Sequence, residues 1–240
     1  MPTFGLRPIS VRPEQQGPER SVDVEAGTAP LSALLWHRTK TLHVQAERSG
    51  IIARMLRGTA SRGGYALLMF NLVPVYRALE AGLARHAGGA GVGLLALPEV
   101  YRVASLEADL RALGEAGLRV LPEALAYAAL VEAAAEGRGE RLIAHAYART
   151  LGDLSGGQIL ARLLGETLGL GADALGFYAF PAIADIAAFK ARYRGLIDAA
   201  AVADVGGVLD EAEAVFRVTI VLSEAVAAAS VDIPARVSEH

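Results

Sequence analysis

The sequence predicts an all-α protein with a single domain, and three observations lead to that prediction. Apolar residues recur at helical spacing along most of the 240-residue chain. β-branched residues are scattered, and no run alternates between apolar and polar in the manner of a strand. Hydrophobic residues make up 53% of the chain, which is enough for one large core. We therefore expect a bundle of helices.

The first two predicted helices lie at residues 31–48 and 51–57. Apolar residues on one side of the first helix recur at the spacing of helices that pack on a core. They are Leu31, Leu34, Leu35, Leu42 and Ala46. The second helix is short and ends at Gly58, a residue type that often terminates helices.

The third predicted helix is long and runs from an N-cap at Ser61 to about His86. Pro74 lies inside it and predicts a kink, because proline has no backbone N–H and its ring clashes with the preceding turn. The rest of the chain predicts helices near 104–115, after Pro122, and over 139–169, 183–203 and 207–229, with loops at 87–93 and 171–182.

The two ends of the chain differ in composition from the part between them. Residues 1–30 contain several prolines and charges but no apolar segment, so we expect a loosely ordered arm rather than a secretory signal. Residues 31–230 form the predicted domain, and residues 231–240 form a polar tail. We expect no stretch to be long and apolar enough to span a bilayer.

Charge and cysteine content narrow the possible functions. The formal net charge is -3, which gives no electrostatic case for binding nucleic acid or an anionic membrane. The chain has no cysteine, which excludes disulfides, thiolate metal sites and cysteine nucleophiles. We expect a cytoplasmic protein with neither nucleic acid nor membrane as a partner.

The segment LGDLSGGQIL at 151–160 places three glycines where a helix is otherwise favoured. Each glycine inside a helix costs about 1 kcal/mol relative to alanine. One interpretation is a helix boundary, since Ser155 and Gln158 have the spacing of a capping box. A phosphate-binding loop is disfavoured, because the G-x-x-x-x-G-K-[ST] pattern is absent. The third is a kinked helix whose bare backbone lies against a flat ligand.

His43 is the histidine that the sequence singles out as a candidate ligand. It lies on the apolar side of the first helix, one turn before Glu47, and a histidine at the edge of the core would fit this position equally well. A metal held by protein alone is disfavoured, because neither H-E-x-x-H nor Glu-x-x-His occurs. A single histidine ligand suits an iron that brings its other ligands, as heme does.

Two motifs together resemble the heme oxygenase family: HVQAE at 43–47 and HAYARTLGDLSGGQ at 145–158. The likeness continues through FKARYR at 189–194 and covers roughly residues 31–227. The resemblance implies a helical bundle in which heme is sandwiched between a proximal and a distal helix. It implies that His43 is the proximal ligand of the heme iron and that Glu47 is its neighbouring carboxylate.

The resemblance also assigns roles on the distal helix, around 147–163. Gly152 and Gly156 would bring backbone atoms close to the heme face, and Gly157 would help the kink. Asp153 matches the aspartate that organises a water network near bound dioxygen. The residues that would extend this polar network are Tyr76, Tyr127 and Arg149.

Basic residues are expected to surround the two heme propionates. By resemblance these are Lys40, Lys190 and Arg194, with Tyr193 packed beside the propionates. Arg194 is expected to set the rotation of heme in its pocket, and hence the porphyrin carbon that is attacked.

The chain departs from the better-known members of the family at two positions. Trp36 stands where they have a further lysine, and His37 or Arg38 would compensate. Thr219 stands where some relatives have an asparagine in the distal network. These departures concern propionate anchoring and proton delivery.

The activity implied by the resemblance is the conversion of heme to biliverdin, carbon monoxide and iron, with heme as both substrate and cofactor. Dioxygen and electrons are required. The chain has no flavin or nicotinamide fingerprint and no cysteine for an iron–sulfur cluster, so a ferredoxin or a flavin reductase is the implied electron donor. The alternatives are a heme carrier on the same scaffold and a purely structural helical module. We expect a monomer.

Overall fold

The computed structural model describes residues 29–230, and within that range it contains helices and no strand. The eight α-helices of this part are α1 (Leu31–Glu47), α2 (Gly50–Leu56), α3 (Arg62–Arg85), α4 (Val103–Leu113), α5 (Pro122–Ala134), α6 (Leu142–Leu168), α7 (Ile186–Ala199) and α8 (Val205–Ala229). The all-α prediction is confirmed. Most of the predicted arm and the tail at 231–240 lie outside the described residues.

Helix α3 is the most deeply buried long helix, and it packs mainly against α4 and α5. It begins as predicted, since the Ser61 hydroxyl oxygen accepts a hydrogen bond from Gly64 N at 3.0 Å. The helix continues through Pro74 to Arg85. Its hydropathy of 1.3 over 18 residues satisfies a membrane span by length and composition, so the expectation that no stretch would do so is wrong. However, 67% of that window is buried inside the fold, as in the core helix of a globular protein.

Helix α8 forms a support to which the other long helices attach, and it packs against α1, α2, α5 and α6. Both α1 and α6 also pack against α7, but neither packs extensively against the other. Two helices that share supports without closing on each other leave a gap between them. The predicted proximal and distal helices are therefore α1 and α6, with α8 and α7 connecting them.

Helix α6 runs without interruption from Leu142 to Leu168, through all three glycines of LGDLSGGQ. The predicted interruption, and the interpretation of Ser155 as an N-cap, are therefore wrong. The helix instead ends at Gly169, whose φ of 64° is a left-handed conformation favoured by glycine. The glycines inside α6 need an explanation other than a helix boundary.

Candidate heme site

His43 lies on α1 with a side chain that is 41% exposed, and its Nδ1 is 3.5 Å from Glu47 Oε1. The spacing of four residues places the carboxylate one turn along the same face. A carboxylate beside one ring nitrogen orients the imidazole, which leaves Nε2 as the nitrogen for a metal. Two aromatic rings pack against His43: Trp36 at 6.2 Å and Phe216 of α8 at 5.8 Å between ring centroids.

A metal ion at His43 would need ligands from elsewhere. Among residues 29–230, no group of three or more His, Cys, Asp or Glu side chains is arranged to hold a metal ion. A single exposed imidazole is a weak site for a bare ion but an adequate axial ligand for an iron already held in a macrocycle.

On the other side of the gap, Asp153 of α6 is the centre of a buried polar network. The Tyr76 hydroxyl of α3 donates a hydrogen bond to Asp153 Oδ2. Arg149 Nε donates to the Tyr76 hydroxyl oxygen at 3.0 Å, and Arg149 Nη2 lies 3.4 Å from Asp153 Oδ1. Residues that are 77 positions apart in the chain thus form one triad, and the structure brings together three of the predicted distal residues.

Burial raises the pKa of two members of the triad, Asp153 and Tyr76. It raises the pKa of Asp153 above its ordinary value, while the Arg149 charge and the Tyr76 hydrogen bond act to lower it. Burial also raises the pKa of Tyr76, so its hydroxyl keeps its proton and remains a donor. The carboxylate is therefore held in place by one phenol and one guanidinium.

Tyr127 of α5 lies next to this triad but outside its hydrogen bonds. Its hydroxyl is buried and has no hydrogen-bond partner in the described structure. Burial raises the pKa of Tyr127, and the nearby Arg149 and Thr219 act in the opposite direction. The Thr219 hydroxyl itself donates to Val215 O at 2.8 Å. The structure thus places Tyr127 beside the triad, and its part in the polar network stays a prediction.

The glycines of α6 divide into two kinds. A Cβ atom added to Gly152 or to Gly156 would meet nothing within 4 Å, so bare backbone faces open space at both positions. A Cβ added to Gly157 would lie 3.0 Å from the ring of Tyr178. The absence of a side chain at Gly157 therefore allows Tyr178 to pack closely, and its role in a kink stays a prediction.

The open glycine face and the Asp153 triad occupy adjoining sides of the same two turns of α6. Arg149, Gly152 and Gly156 recur at helical spacing along one stripe, and Asp153 follows Arg149 by one turn. Helix α8 ties this stripe to α1, since Phe216 contacts His43 and Thr219, one turn further on, lies near Arg149 and Tyr127. Helix α8 therefore links the proximal and the distal residues, and the gap between α1 and α6 is the candidate heme space.

The predicted basic rim is only partly at the surface. Lys40 of α1 and Arg194 of α7 are exposed, as propionate contacts require. Lys190 is only 8% exposed. Tyr193 is fully buried, and its hydroxyl donates to Thr150 of α6 at 3.3 Å. Tyr193 therefore joins α7 to the distal helix, and its place beside the propionates stays a prediction.

Sequence analysis missed several side chains that shape the space. Phe216 packs on His43, and Phe177 packs edge-on against Tyr76 at 5.5 Å. Burial raises the pKa of Tyr147 of α6, while Thr39 of α1 and Arg194 of α7 act to lower it. Residues of all three helices are therefore close together at Tyr147. In the sequence these side chains appear only as aromatic residues in a motif or at helical spacing. Aromatic residues of this kind are common in protein cores, so they do not indicate a site.

The features of this space fit heme. The open backbone at Gly152 and Gly156 leaves room for a flat ring, His43 offers one axial nitrogen, and Lys40 and Arg194 offer cations for carboxylates. A buried carboxylate with two fixed donors lies on α6, the other helix of the pair. The donor set therefore suits an iron macrocycle better than a bare ion.

Comparisons with known proteins agree with this assignment. A sequence model of the heme oxygenase family matches residues 29–225. Heme oxygenase 1 of Nostoc sp. is 35% identical over 185 residues, which cover 74% of this chain and 78% of that protein. Human heme oxygenase 1 is 35% identical over 203 residues, covering 81% and 70% of the two chains.

Solved structures give the same result. Heme oxygenase-1 from Synechocystis sp. PCC6803, solved in complex with heme, has a TM-score of 0.79 at 30% identity, with 85% of this chain and 95% of that chain covered. Heme oxygenase from Leptospira interrogans has a TM-score of 0.77 at 30% identity, with 82% and 100% covered. The fold, the site and the sequence matches agree, and the chain belongs to the heme oxygenase family.

Proposed function

We propose that this chain opens the heme ring to biliverdin, carbon monoxide and ferrous iron, using dioxygen and electrons from a separate protein. The observation that carries the proposal is the bare backbone of Gly152 and Gly156, which faces open space beside the Asp153 triad. Helix α8 packs against both the helix that carries these glycines and the helix that carries His43. When bound, heme supplies both the iron at which dioxygen is reduced and the porphyrin carbon that is oxidised.

The residues of α1 bind and orient the substrate. His43 Nε2 is the proposed axial ligand, and Glu47 fixes the ring from the Nδ1 side. Lys40 and Arg194 are exposed and provide charges for the propionates. Arg194 thereby sets the rotation of the ring, and with it the porphyrin carbon that lies nearest to the distal residues.

The residues of α6 organise the oxygen side of the site. Asp153 accepts hydrogen bonds from Tyr76 and from Arg149, and its remaining lone pairs are available to an ordered water. Such a water would deliver protons to the side of the ring where dioxygen binds. The bare backbone at Gly152 and Gly156 would let the ring lie close to α6 and would direct dioxygen toward its edge.

The electrons come from a separate protein. The chain lacks cysteine and the nucleotide-binding fingerprints that a flavin or nicotinamide site would require. Exposed cations at the substrate edge, Lys40 and Arg194 among them, are a suitable docking surface for an acidic ferredoxin or a flavin reductase. We propose that the protein works as a cytoplasmic monomer.

The reaction is tested by omitting one component at a time. Purified protein with hemin, dioxygen, NADPH, a ferredoxin and its reductase is expected to release carbon monoxide and biliverdin in equal amounts. Removing dioxygen or the ferredoxin should stop both products. Carbon monoxide that still forms without an added donor protein would contradict the proposed external source of electrons.

His43→Ala is expected to remove the axial ligand and to lower hemin affinity. The nitrogen is replaced by a methyl group, so the iron must take water or another group in its place. Absorption spectra of the ferric complex, with and without added imidazole, measure this directly. Imidazole should restore the wild-type spectrum by entering the vacated position. An unchanged spectrum in His43→Ala without imidazole would remove His43 as the ligand.

As the pH is lowered, the rate of ring opening is expected to begin to fall at a higher pH than it would if it depended on an exposed aspartate. Because burial raises the pKa of Asp153, its carboxylate becomes protonated, and loses its charge, at a higher pH than usual. Single-turnover rates measured from pH 8 downward with a chemical reductant test the effect. In Asp153→Asn the small residual rate should not show this acid limb. The same limb in the variant would assign it to another group.

A further inference from the structure

The loop between α6 and α7 carries the aromatic rings that support the distal triad. It forms two short 3₁₀ turns, at Ala172–Ala174 and Gly176–Tyr178. Phe177 packs edge-on against Tyr76, with ring centroids 5.5 Å apart and an interplanar angle of 85°. Tyr178 packs against Gly157, and its carbonyl accepts a hydrogen bond from Gln158 at 2.8 Å. The position of Tyr76 therefore depends on this loop.

Asp109 of α4 holds the second turn of the loop. The residue is only 1% exposed, and both of its carboxylate oxygens accept backbone hydrogen bonds: Oδ1 from Gly176 N at 2.9 Å and Oδ2 from Phe177 N at 2.7 Å. Hydrogen bonds to a buried charge are stronger than neutral ones. A Cβ on Gly176 would lie 2.8 Å from Asp109 Oδ1, so a side chain there would displace the carboxylate from its present position.

Arg102 holds the other end of the same turn. It is 5% exposed, donates to the carbonyl of Ala179, and lies with its guanidinium carbon 4.2 Å from the centre of the Phe180 ring. Asp109 and Arg102, two buried charges of opposite sign, thus hold the short stretch 176–180 in place. Burying two charges is costly, and apolar packing would stabilise a surface loop at lower cost.

The function of this arrangement follows from what the loop contacts. Tyr76 must present its hydroxyl to Asp153 and to Arg149 at once, and the orientation of its ring decides whether it does. We propose that Asp109 is a positioning residue for ring opening: it fixes Phe177, which in turn holds Tyr76 against Asp153. The proposal rests on the proposed function, in which Asp153 organises the oxygen side of the site.

Three variants break the chain of contacts at different points. Asp109→Asn keeps one acceptor oxygen for two backbone donors, and Gly176→Ala places a methyl group against the carboxylate. Phe177→Leu leaves the backbone hydrogen bonds in place and removes the aromatic contact with Tyr76. Asp173→Asn is the matched control, because it removes the same charge from an exposed position of the same loop.

The first readout is the pKa of Asp153 in the protein without heme, measured by carboxyl ¹³C NMR and assigned by its absence in Asp153→Asn. The Tyr76 hydrogen bond lowers this pKa, so its loss should raise the pKa. Removing the negative charge of Asp109 would by itself lower the pKa of Asp153. A rise in that pKa would therefore indicate that Tyr76 has been displaced. We expect a rise in all three variants and none in Asp173→Asn.

The second readout separates ring opening from heme binding. In the three variants, hemin affinity should stay within about threefold of wild type, while single-turnover ring opening slows roughly tenfold, the effect of one lost hydrogen bond. An unchanged Asp153 pKa in folded Phe177→Leu, or a rate equal to that of Asp173→Asn, would overturn the positioning role. If wild-type protein itself leaves heme intact, the proposed function fails instead.

Discussion

Replacing Asp153 with asparagine is expected to slow heme ring opening by about 100-fold, the usual effect of losing one organising polar group in an active site. Asparagine has almost the same shape, but it is neutral and has a single acceptor oxygen. Tyr76 and Arg149 then lose the carboxylate that they share. Hemin binding should change little, because the axial nitrogen of His43 lies on the other helix.

The measurement combines a hemin titration with a single-turnover reaction on the same sample. Asp173→Asn serves as a control, since it removes an exposed aspartate away from the triad. A Soret band that persists under reductant in Asp153→Asn, and decays in the control, is the expected pair of results. Wild-type rates in Asp153→Asn would show that ring opening does not require this carboxylate.

Gly156→Leu is expected to have opposite effects on stability and on substrate binding. Nothing lies within 4 Å of an added Cβ, so leucine fits the protein without heme and removes the cost of a helical glycine, about 1 kcal/mol. The melting temperature should rise by about 2–4 °C. Heme, in contrast, would meet four new carbon atoms, and an overpacking cost of about 1–3 kcal/mol lowers affinity by up to roughly 100-fold.

Gly165→Ala is the matched control on the same helix. A Cβ there makes only ordinary contacts, the nearest at 3.5 Å from Leu170 O, so the helix should gain similar stability. Hemin titrations and thermal melts of both variants then separate the two effects. Equal hemin affinity in Gly156→Leu and Gly165→Ala would mean that the open glycine face is not the substrate site.

Local spacing in the sequence predicted the parts of the site that lie on one helix. His43 and Glu47 are one turn apart on α1, and Asp153 follows Arg149 by one turn on α6, as helical periodicity requires. The motif around the glycines indicated heme as the ligand, through its resemblance to heme oxygenases. What the pattern left open was whether the glycines break the helix, because a glycine that faces a ligand and one that ends a helix look alike in sequence.

Contacts between distant segments could not be predicted from spacing. Tyr76 meets Asp153 only because α3 and α6 pack together, and Tyr193 turns inward to Thr150 only because α7 packs on α6. The ring of Tyr193 is fully buried, and the basic motif around it gave no indication of that packing. Long-range packing of this kind is a property of the whole fold.

The position of Trp36 is another feature that the sequence could not predict. The sequence identifies it as a departure from a lysine, whereas the structure places its indole edge-on beside the ring of His43 and 41% exposed. Trp36 therefore makes an aromatic contact with the proposed proximal ligand. Arg38 is paired with Asp210 and Glu213 of α8, and whether it or His37 takes the place of the lysine stays a prediction.

The most direct test of the account is an absorption series on the wild-type protein. One equivalent of hemin is added with catalase present, followed by a reductant in air. The account predicts a Soret band that forms with His43 as ligand and then decays, while the long-wavelength band of biliverdin grows. A Soret band that persists after the iron has been reduced would contradict it and identify a heme carrier instead.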